Sequence, residues 1–160
     1  MSDTLFITGA TSGFGEACAR RFAEAGWKLV LTGRRAERLN ALVQELSKQT
    51  EVHGMVVDVR ERKGMEEAIA NLPPSFATLR GLINNAGGGA PAEYDGYASH
   101  AATIKLNFTG TVLMTEACLP LLSDGGRIVM LSSGSAPSFV SKCSAERQVG
   151  RNAGFGSDAG

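Results

Sequence analysis

Three glycines within seven residues are the first feature of this sequence whose spacing points to chemistry. Thr8-Gly9-Ala10-Thr11-Ser12-Gly13-Phe14-Gly15 follows directly on the apolar run Leu5-Phe6-Ile7 and leads into a helical pattern. A strand, a glycine-rich turn and a helix N-terminus in that order make a site for a pyrophosphate. Glycines let the backbone turn tightly and approach the phosphates, and the helix end offers free N–H groups and a partial positive charge. The spacing is G-x-x-x-G-x-G, not the G-x-G-x-x-G of the dinucleotide fingerprint, and no lysine follows the last glycine as it would in a P-loop. A tight turn without a ligand would account for the glycines alone. Their place at the first strand-to-helix turn favours a ligand, which makes Gly9, Thr11, Ser12, Gly13, Phe14 and Gly15 candidate cofactor contacts.

A second signal lies where the next apolar run, Leu29-Val30-Leu31, ends in Thr32-Gly33-Arg34-Arg35. In a dinucleotide-binding fold the end of the second strand faces the adenosine ribose, and a carboxylate there would accept the 2′-hydroxyl of NAD. Here there is none. A guanidinium can instead grip a 2′-phosphate through two parallel hydrogen bonds. The pattern therefore predicts NADP(H), with Arg34 the first ligand and Arg35 the second. Two solvated arginines at a helix start are the plainer alternative, but cations there oppose the helix dipole.

The remaining reactive side chains form no comparable set. His53 sits in a strand-like segment and His100 in a helical one, where a lone histidine is more often structural or solvated. Cys143 beside Lys142 reads as a surface thiol, and no His/Cys spacing suits a metal. Sixteen basic residues cancel sixteen acidic ones, so no field favours nucleic acid or an anionic membrane. No apolar run reaches the ~20 residues needed to span a bilayer. The three widely spaced cysteines and the lack of a basic leader lead us to expect a reduced, cytoplasmic protein without a signal peptide.

Positioning these residues requires alternating strands and helices. Strands are expected at Leu5–Ile7, Leu29–Leu31, Val52–Val57, Leu82–Ile83 and Arg127–Leu131. Helices are expected over Glu16–Ala25, Ala36–Lys48, Arg62–Asn71 and one long stretch, Ala98–Leu122. Leu39, Leu42, Val43 and Leu46 show the i, i+3, i+4, i+7 pattern of a buried helix face. Such alternation implies right-handed crossovers and an α/β fold, a Rossmann-like doubly wound parallel sheet of about five strands. Residues 1–133 read as one dinucleotide-binding domain. Residues 134–160, poor in large apolar side chains and ending in Gly, Ala and Ser, read as loop or disordered tail.

Several motifs in order resemble the short-chain dehydrogenase/reductase family over roughly residues 4–133. Thr8-Gly9-x-x-x-Gly13-x-Gly15 resembles its cofactor motif. Asp58-Val59 resembles the pair that closes the third strand, and the resemblance implies contact with the adenine ring. Asn84-Asn85-Ala86-Gly87 matches the N-N-A-G motif, which implies that Asn85, Ala86 and Gly87 lie beside the cofactor. Asn107, within Lys105-Leu106-Asn107-Phe108-Thr109-Gly110, matches the family's helix asparagine, implied to hold a water in a proton relay. Ser133, closing Ile128-Val129-Met130-Leu131-Ser132-Ser133, matches the catalytic serine. Gly13-Phe14-Gly15-Glu16 and Thr32 to Leu39 resemble the serine/3-hydroxy-acid dehydrogenase branch, whereas Ser132-Ser133 followed by Val140 to Ser144 is more similar to monomeric carbonyl reductases.

The resemblance implies an NADP(H)-dependent oxidoreductase acting on a carbonyl or secondary alcohol. It also implies a Tyr-x-x-x-Lys pair, since a phenol near pKa 10 needs a neighbouring cation to move protons at neutral pH. The only tyrosines are Tyr94 and Tyr97, both before Asn107, and Lys142 has Ser138 four residues ahead of it. The expectation is therefore a chain truncated before that pair, with a small-molecule substrate if active. The alternative is a catalytically inactive NADP(H)-binding or interaction module. An uncovered fifth strand would also expose a sheet edge open to self-association.

Overall fold

The computed structural model describes residues 3–89 and 93–132. Ser133, Lys142, Cys143 and the expected tail over 134–160 lie outside the described residues. Among the described residues, those through Met130 form one compact unit, and Leu131 and Ser132 lie outside it.

The elements run β1 (Thr4–Ile7), α1 (Gly13–Glu24), β2 (Lys28–Gly33), α2 (Ala36–Leu46), β3 (Val52–Val56), α3 (Arg62–Ala70), β4 (Leu79–Asn84), α4 (Gly96–Ile104), α5 (Gly110–Cys118) and β5 (Leu122–Met130). All five strands pair in parallel in the order β3-β2-β1-β4-β5. The expected doubly wound α/β sheet is what forms. The order reverses direction between β1 and β4, and crevices at the carboxyl ends of strands at such a reversal are where ligands bind in open α/β sheets.

Alternating side chains divide the core into two layers. Leu5 and Ile7 of β1 with Leu29 and Leu31 of β2 face Ala19 and Ala23 of α1 and Leu39, Leu42 and Leu46 of α2. Phe6, Val30 and Leu82 face the other way, onto Met65 of α3 and Leu113, Met114 and Cys118 of α5. Small alanines on α1 let that helix lie close to the sheet, and this brings its N-terminus against the strand ends. Burial on both faces explains why the central strands are continuous apolar runs rather than alternating ones.

The long helical stretch expected over Ala98–Leu122 forms without a gap from Gly96 to Leu121, but its hydrogen bonding changes twice. Between α4 and α5, residues Lys105–Thr109 form a π-helical turn in which the Gly110 N–H reaches back to the Lys105 carbonyl. The Asn107 side chain bonds the Thr103 carbonyl there, competing with the regular ladder. After Cys118 a short 3-10 turn contains Pro120, which lacks the N–H needed to continue a helix. The fifth strand begins at Leu122, five residues before the expected start. Ser123 to Gly126 enter it through a register shift, in which Leu79 pairs with Leu122 but Gly81 with Arg127. Among the described residues, no helix is long and apolar enough to cross a membrane.

Candidate functional site

The carboxyl ends of β1, β2 and β4 meet the N-terminus of α1 around a cavity of about 410 Å³. Its floor is Gly9, Thr11, Ser12, Gly13 and Phe14; Thr32 to Arg35 and Val57 and Val59 form one wall; Asn85, Ala86, Gly87 and Leu106 form the other. All but three of the sequence-derived site residues described here line it. The exceptions are Gly15, Asp58 and Asn107, each of which acts on a residue that does.

The corner is held by a few polar side chains. The Thr8 hydroxyl accepts the backbone N–H groups of both Asn85 and Ala86 at 2.9 Å and donates to the Ile83 carbonyl at 3.4 Å. In return the Asn85 amide donates to the Thr8 and Gly9 carbonyls, each at 3.0 Å. The turn after β4 is thus bolted to the turn after β1. Thr8 escaped the list of site residues read from sequence; its signal was a threonine at the junction of an apolar strand and a glycine turn. Asn84, almost fully buried, donates to Thr115 of α5 at 2.9 Å.

Close approach decides two of the glycines. Gly9 has φ +66°, and a Cβ there would lie 2.8 Å from the Ala86 Cα. A Cβ on Gly15 would lie 2.5 Å from the Gly9 carbonyl oxygen, a backbone atom with no freedom to yield. The helix start and the two turns pack too closely for any side chain.

Asn107 clamps the far side. It accepts the Gly88 N–H at 2.9 Å and donates to the Gly88 carbonyl at 2.7 Å and the Thr103 carbonyl at 2.9 Å. The amide group of Asn107 is committed to these protein partners, and its backbone carbonyl accepts the Thr111 hydroxyl at 2.9 Å.

The two arginines after β2 have different surroundings. Arg35 is the N-cap residue of α2, and its guanidinium folds away from that helix end to the Thr11 and Ser12 hydroxyls, at 3.0 and 2.8 Å. Arg34 is also exposed, with its Nη1 3.8 Å from an oxygen of Asp58. Asp58 itself is gripped by Arg60, whose Nε donates to both carboxylate oxygens at 2.9 and 3.1 Å and whose Nη2 donates at 2.6 Å. The Arg60 hydrogen bonds hold the Asp58 carboxyl below the usual carboxylate range against the opposing effect of burial.

These features fit a dinucleotide. Ser12 precedes α1 without capping it, so the first N–H groups of the helix keep their donors for an anion. Thr32 carries the one buried side-chain oxygen without a hydrogen-bond partner among the described residues, and it lies in the cavity wall. A nucleotide's phosphates would supply the acceptors that the helix end lacks. Elsewhere, burial pushes the Cys118 thiol up to about 12, which leaves it inert in the core. No group of His, Cys, Asp and Glu among the described residues could hold a metal ion.

Comparison with known proteins agrees with this geometry. The family model for short chain dehydrogenases matches residues 3–144. Sulfoacetaldehyde reductase 2 of Chromohalobacter salexigens is 48% identical over 139 residues, covering 83% of this chain and 55% of its own. A serine 3-dehydrogenase of Agrobacterium fabrum is 45% identical over 140 residues, covering 85% of this chain and 55% of its own. The solved closed form of serine dehydrogenase complexed with NADP+ shares 41% identity at a TM-score of 0.64, covering 73% of this chain and 48% of its own. The chain spans about half the length of the curated relatives it matches. By its motifs, its fold and this match, the chain belongs to the short-chain dehydrogenase family.

Proposed function

We propose that this chain binds NADP(H) and forms the nucleotide half of an oxidoreductase that interconverts a carbonyl and a secondary alcohol. The observation that carries this reading is the pairing of an uncapped helix N-terminus behind a glycine turn with two guanidiniums just after β2, a strand whose end carries no carboxylate. A solved relative is complexed with NADP+, and another relative is named as an NADP-dependent 3-hydroxy acid dehydrogenase.

In this reading the turn Gly9 to Gly15 and the first N–H groups of α1 bind the pyrophosphate. Arg34 takes the 2′-phosphate, and Arg35 ties Thr11 and Ser12 beside it as a second ligand. Val57 and Val59, on either side of Asp58, form the adenine wall. Asn85, Ala86 and Gly87 border the nicotinamide end, with Asn107 holding the neighbouring Gly88 in place. The nicotinamide supplies or accepts the hydride. Ser133 hydrogen-bonds the substrate oxygen, and the proton comes from a tyrosine–lysine pair outside residues 1–160. A second reading, a nucleotide-binding module without turnover, is supported by the cavity alone, whose lining among the described residues includes no tyrosine and no lysine.

Titration of the chain with NADPH and with NADH tests the common part of both readings. Saturable binding that prefers NADPH, weakened about tenfold or more by Arg34→Ala, is expected for a lost charge-assisted phosphate contact. Absence of binding, or equal affinity for the two nucleotides, would overturn the NADP(H) assignment. Oxidation of NADPH by a panel of small carbonyl compounds separates an enzyme from a binding module.

A further inference from the structure

Between the nucleotide wall and the start of α3, three charged side chains stand in a row. Arg34 follows β2, Asp58 follows β3, and Arg60 lies two residues beyond. The middle carboxylate faces a choice between two guanidiniums, and the geometry records which has won. Arg60 contributes Nε and Nη2 in a bidentate fork at 2.6 to 3.1 Å, and its own backbone N–H adds a further bond to Oδ1 at 3.0 Å. Arg34 stays at 3.8 Å, beyond hydrogen-bond distance.

That choice matters for a ligand. A 2′-phosphate carries up to two negative charges and needs guanidinium donors that are not already spent. Were Asp58 free, it would close the short gap to Arg34. It would then take one edge of the fork and set a carboxylate beside an incoming dianion. With its oxygens occupied by Arg60, Asp58 stays 3.8 Å from Arg34 without taking its donors, and Arg60 balances the charge it sets beside the phosphate. We propose that Arg60 is a positioning residue for nucleotide selection: by holding both oxygens of Asp58 it keeps Arg34 free for a 2′-phosphate, and so sets the preference for NADPH over NADH. This rests on the assignment of NADP(H) to the cavity and deepens it.

Two further observations support the assignment. Arg60 and Asp58 are both partly shielded from solvent, so their pairing is less screened than a fully exposed contact, whereas Arg34 projects farther into water, where a ligand can reach it. Val57 and Val59, on either side of Asp58, line the cavity together with Arg34. A change in the carboxylate's partner is therefore felt at the cavity wall.

The test is a double-mutant cycle on the whole chain. NADPH and NADH are titrated against the parent protein, Arg60→Gln, Asp58→Asn and the double variant. Arg60→Gln is expected to cut the NADPH-to-NADH preference about fivefold to tenfold, the scale of a partly shielded charge contact. NADH affinity should change much less, and adding Asp58→Asn should restore the preference. Asp58→Asn alone should keep or raise it, an arm that stands even if Arg60→Gln does not fold. Equal weakening of both nucleotides in Arg60→Gln would make Arg60 merely structural and overturn the proposal. So would an unchanged preference, or a loss that persists in the double variant. A fall in preference in Asp58→Asn alone would also overturn it. If the parent protein binds neither nucleotide, or shows no preference, the underlying assignment fails first, and the cycle distinguishes that outcome from failure of the Arg60 role alone.

Discussion

The glycine corner and the outer face of α4 and α5 are built on opposite terms. At the corner, backbones from three turns touch, the central strands β1 and β2 are buried along nearly their whole length, and the Thr8 hydroxyl serves two N–H donors and a carbonyl at once. On the outer face, Tyr97, Ile104 and Phe108 point large apolar side chains into solvent, with exposures of 87%, 58% and 67%. β5, at the sheet edge, exposes Val129 and Met130 as well. At Gly9 and Gly15 the corner has no room for one more atom, and the outer face has surface it does not use within the described residues. Substitutions at the corner should therefore be costly out of proportion to their size, and substitutions on the outer face cheap out of proportion to theirs.

The largest expected effect comes from adding one methyl group. Gly15→Ala drives a Cβ into the Gly9 carbonyl, which is fixed by its place in the turn. Overpacking against backbone should cost about 3 kcal/mol or more, measured as a shift in urea midpoint, and should abolish nucleotide binding. A loss below about 1 kcal/mol would show that the corner can relax, and the contrast with the outer face would weaken. Next is Thr8→Val, which keeps the volume and removes the oxygen. It strands the N–H groups of Asn85 and Ala86. A loss of about 2 kcal/mol is expected from the same unfolding measurement, because buried donors without acceptors carry their full desolvation cost.

The corner was also the region most legible in the sequence, and for the same reason. Where backbone meets backbone, as at Gly9 and Gly15, or turns with a positive φ, as at Gly13, glycine is favoured, so the motif itself records the geometry. Leu29-Val30-Leu31 and Leu5-Phe6-Ile7 were legible as strands because burial on both faces leaves only apolar residues. The π turn between α4 and α5 was not legible. It depends on the Asn107 amide reaching Gly88, nineteen residues away, and local propensity does not encode such a contact. The early start of β5 was hidden because Ser123-Asp124-Gly125-Gly126 has turn chemistry and joins the sheet only through an irregular register with β4. Of the site residues, Arg34 and Arg35 could be read as a pair, but their unequal surroundings could not. Which guanidinium is tied to Thr11 and Ser12 and which stands next to Asp58 is settled by tertiary packing.

A pH experiment sharpens the contrast from the sheet's other edge. His53 in β3 lies against the Phe76 ring, with centroids 5.7 Å apart, and burial lowers its pKa from the ordinary 6.5. The folded state then binds its proton less readily than the unfolded chain. Stability from this group is fully present above about 6.5 and is lost as pH falls through the lowered folded value. Between pH 7 and pH 5.5 the parent protein should lose more stability than His53→Gln, by well under about 1 kcal/mol because the ring is only partly buried. Identical pH dependence in the two proteins would mean that the ring is as well solvated folded as unfolded.

The smallest expected effect tests the other half of the comparison. Ile104→Gln combined with Phe108→Gln removes two large apolar side chains from the outer face. Both are mostly exposed, so little transfer free energy is at stake, and glutamine forms helix at least as readily as either. The double variant should stay within about 0.5 kcal/mol of the parent in urea unfolding, far from the cost of one methyl at Gly15. The sign of any deviation is informative. A small gain would follow from better helix propensity on a solvated surface. A loss above about 1 kcal/mol would require these side chains to be buried in solution against a surface outside the described residues. The face would then be spare only in the isolated chain, and a loss that grew with protein concentration would identify the covering surface as another copy of it.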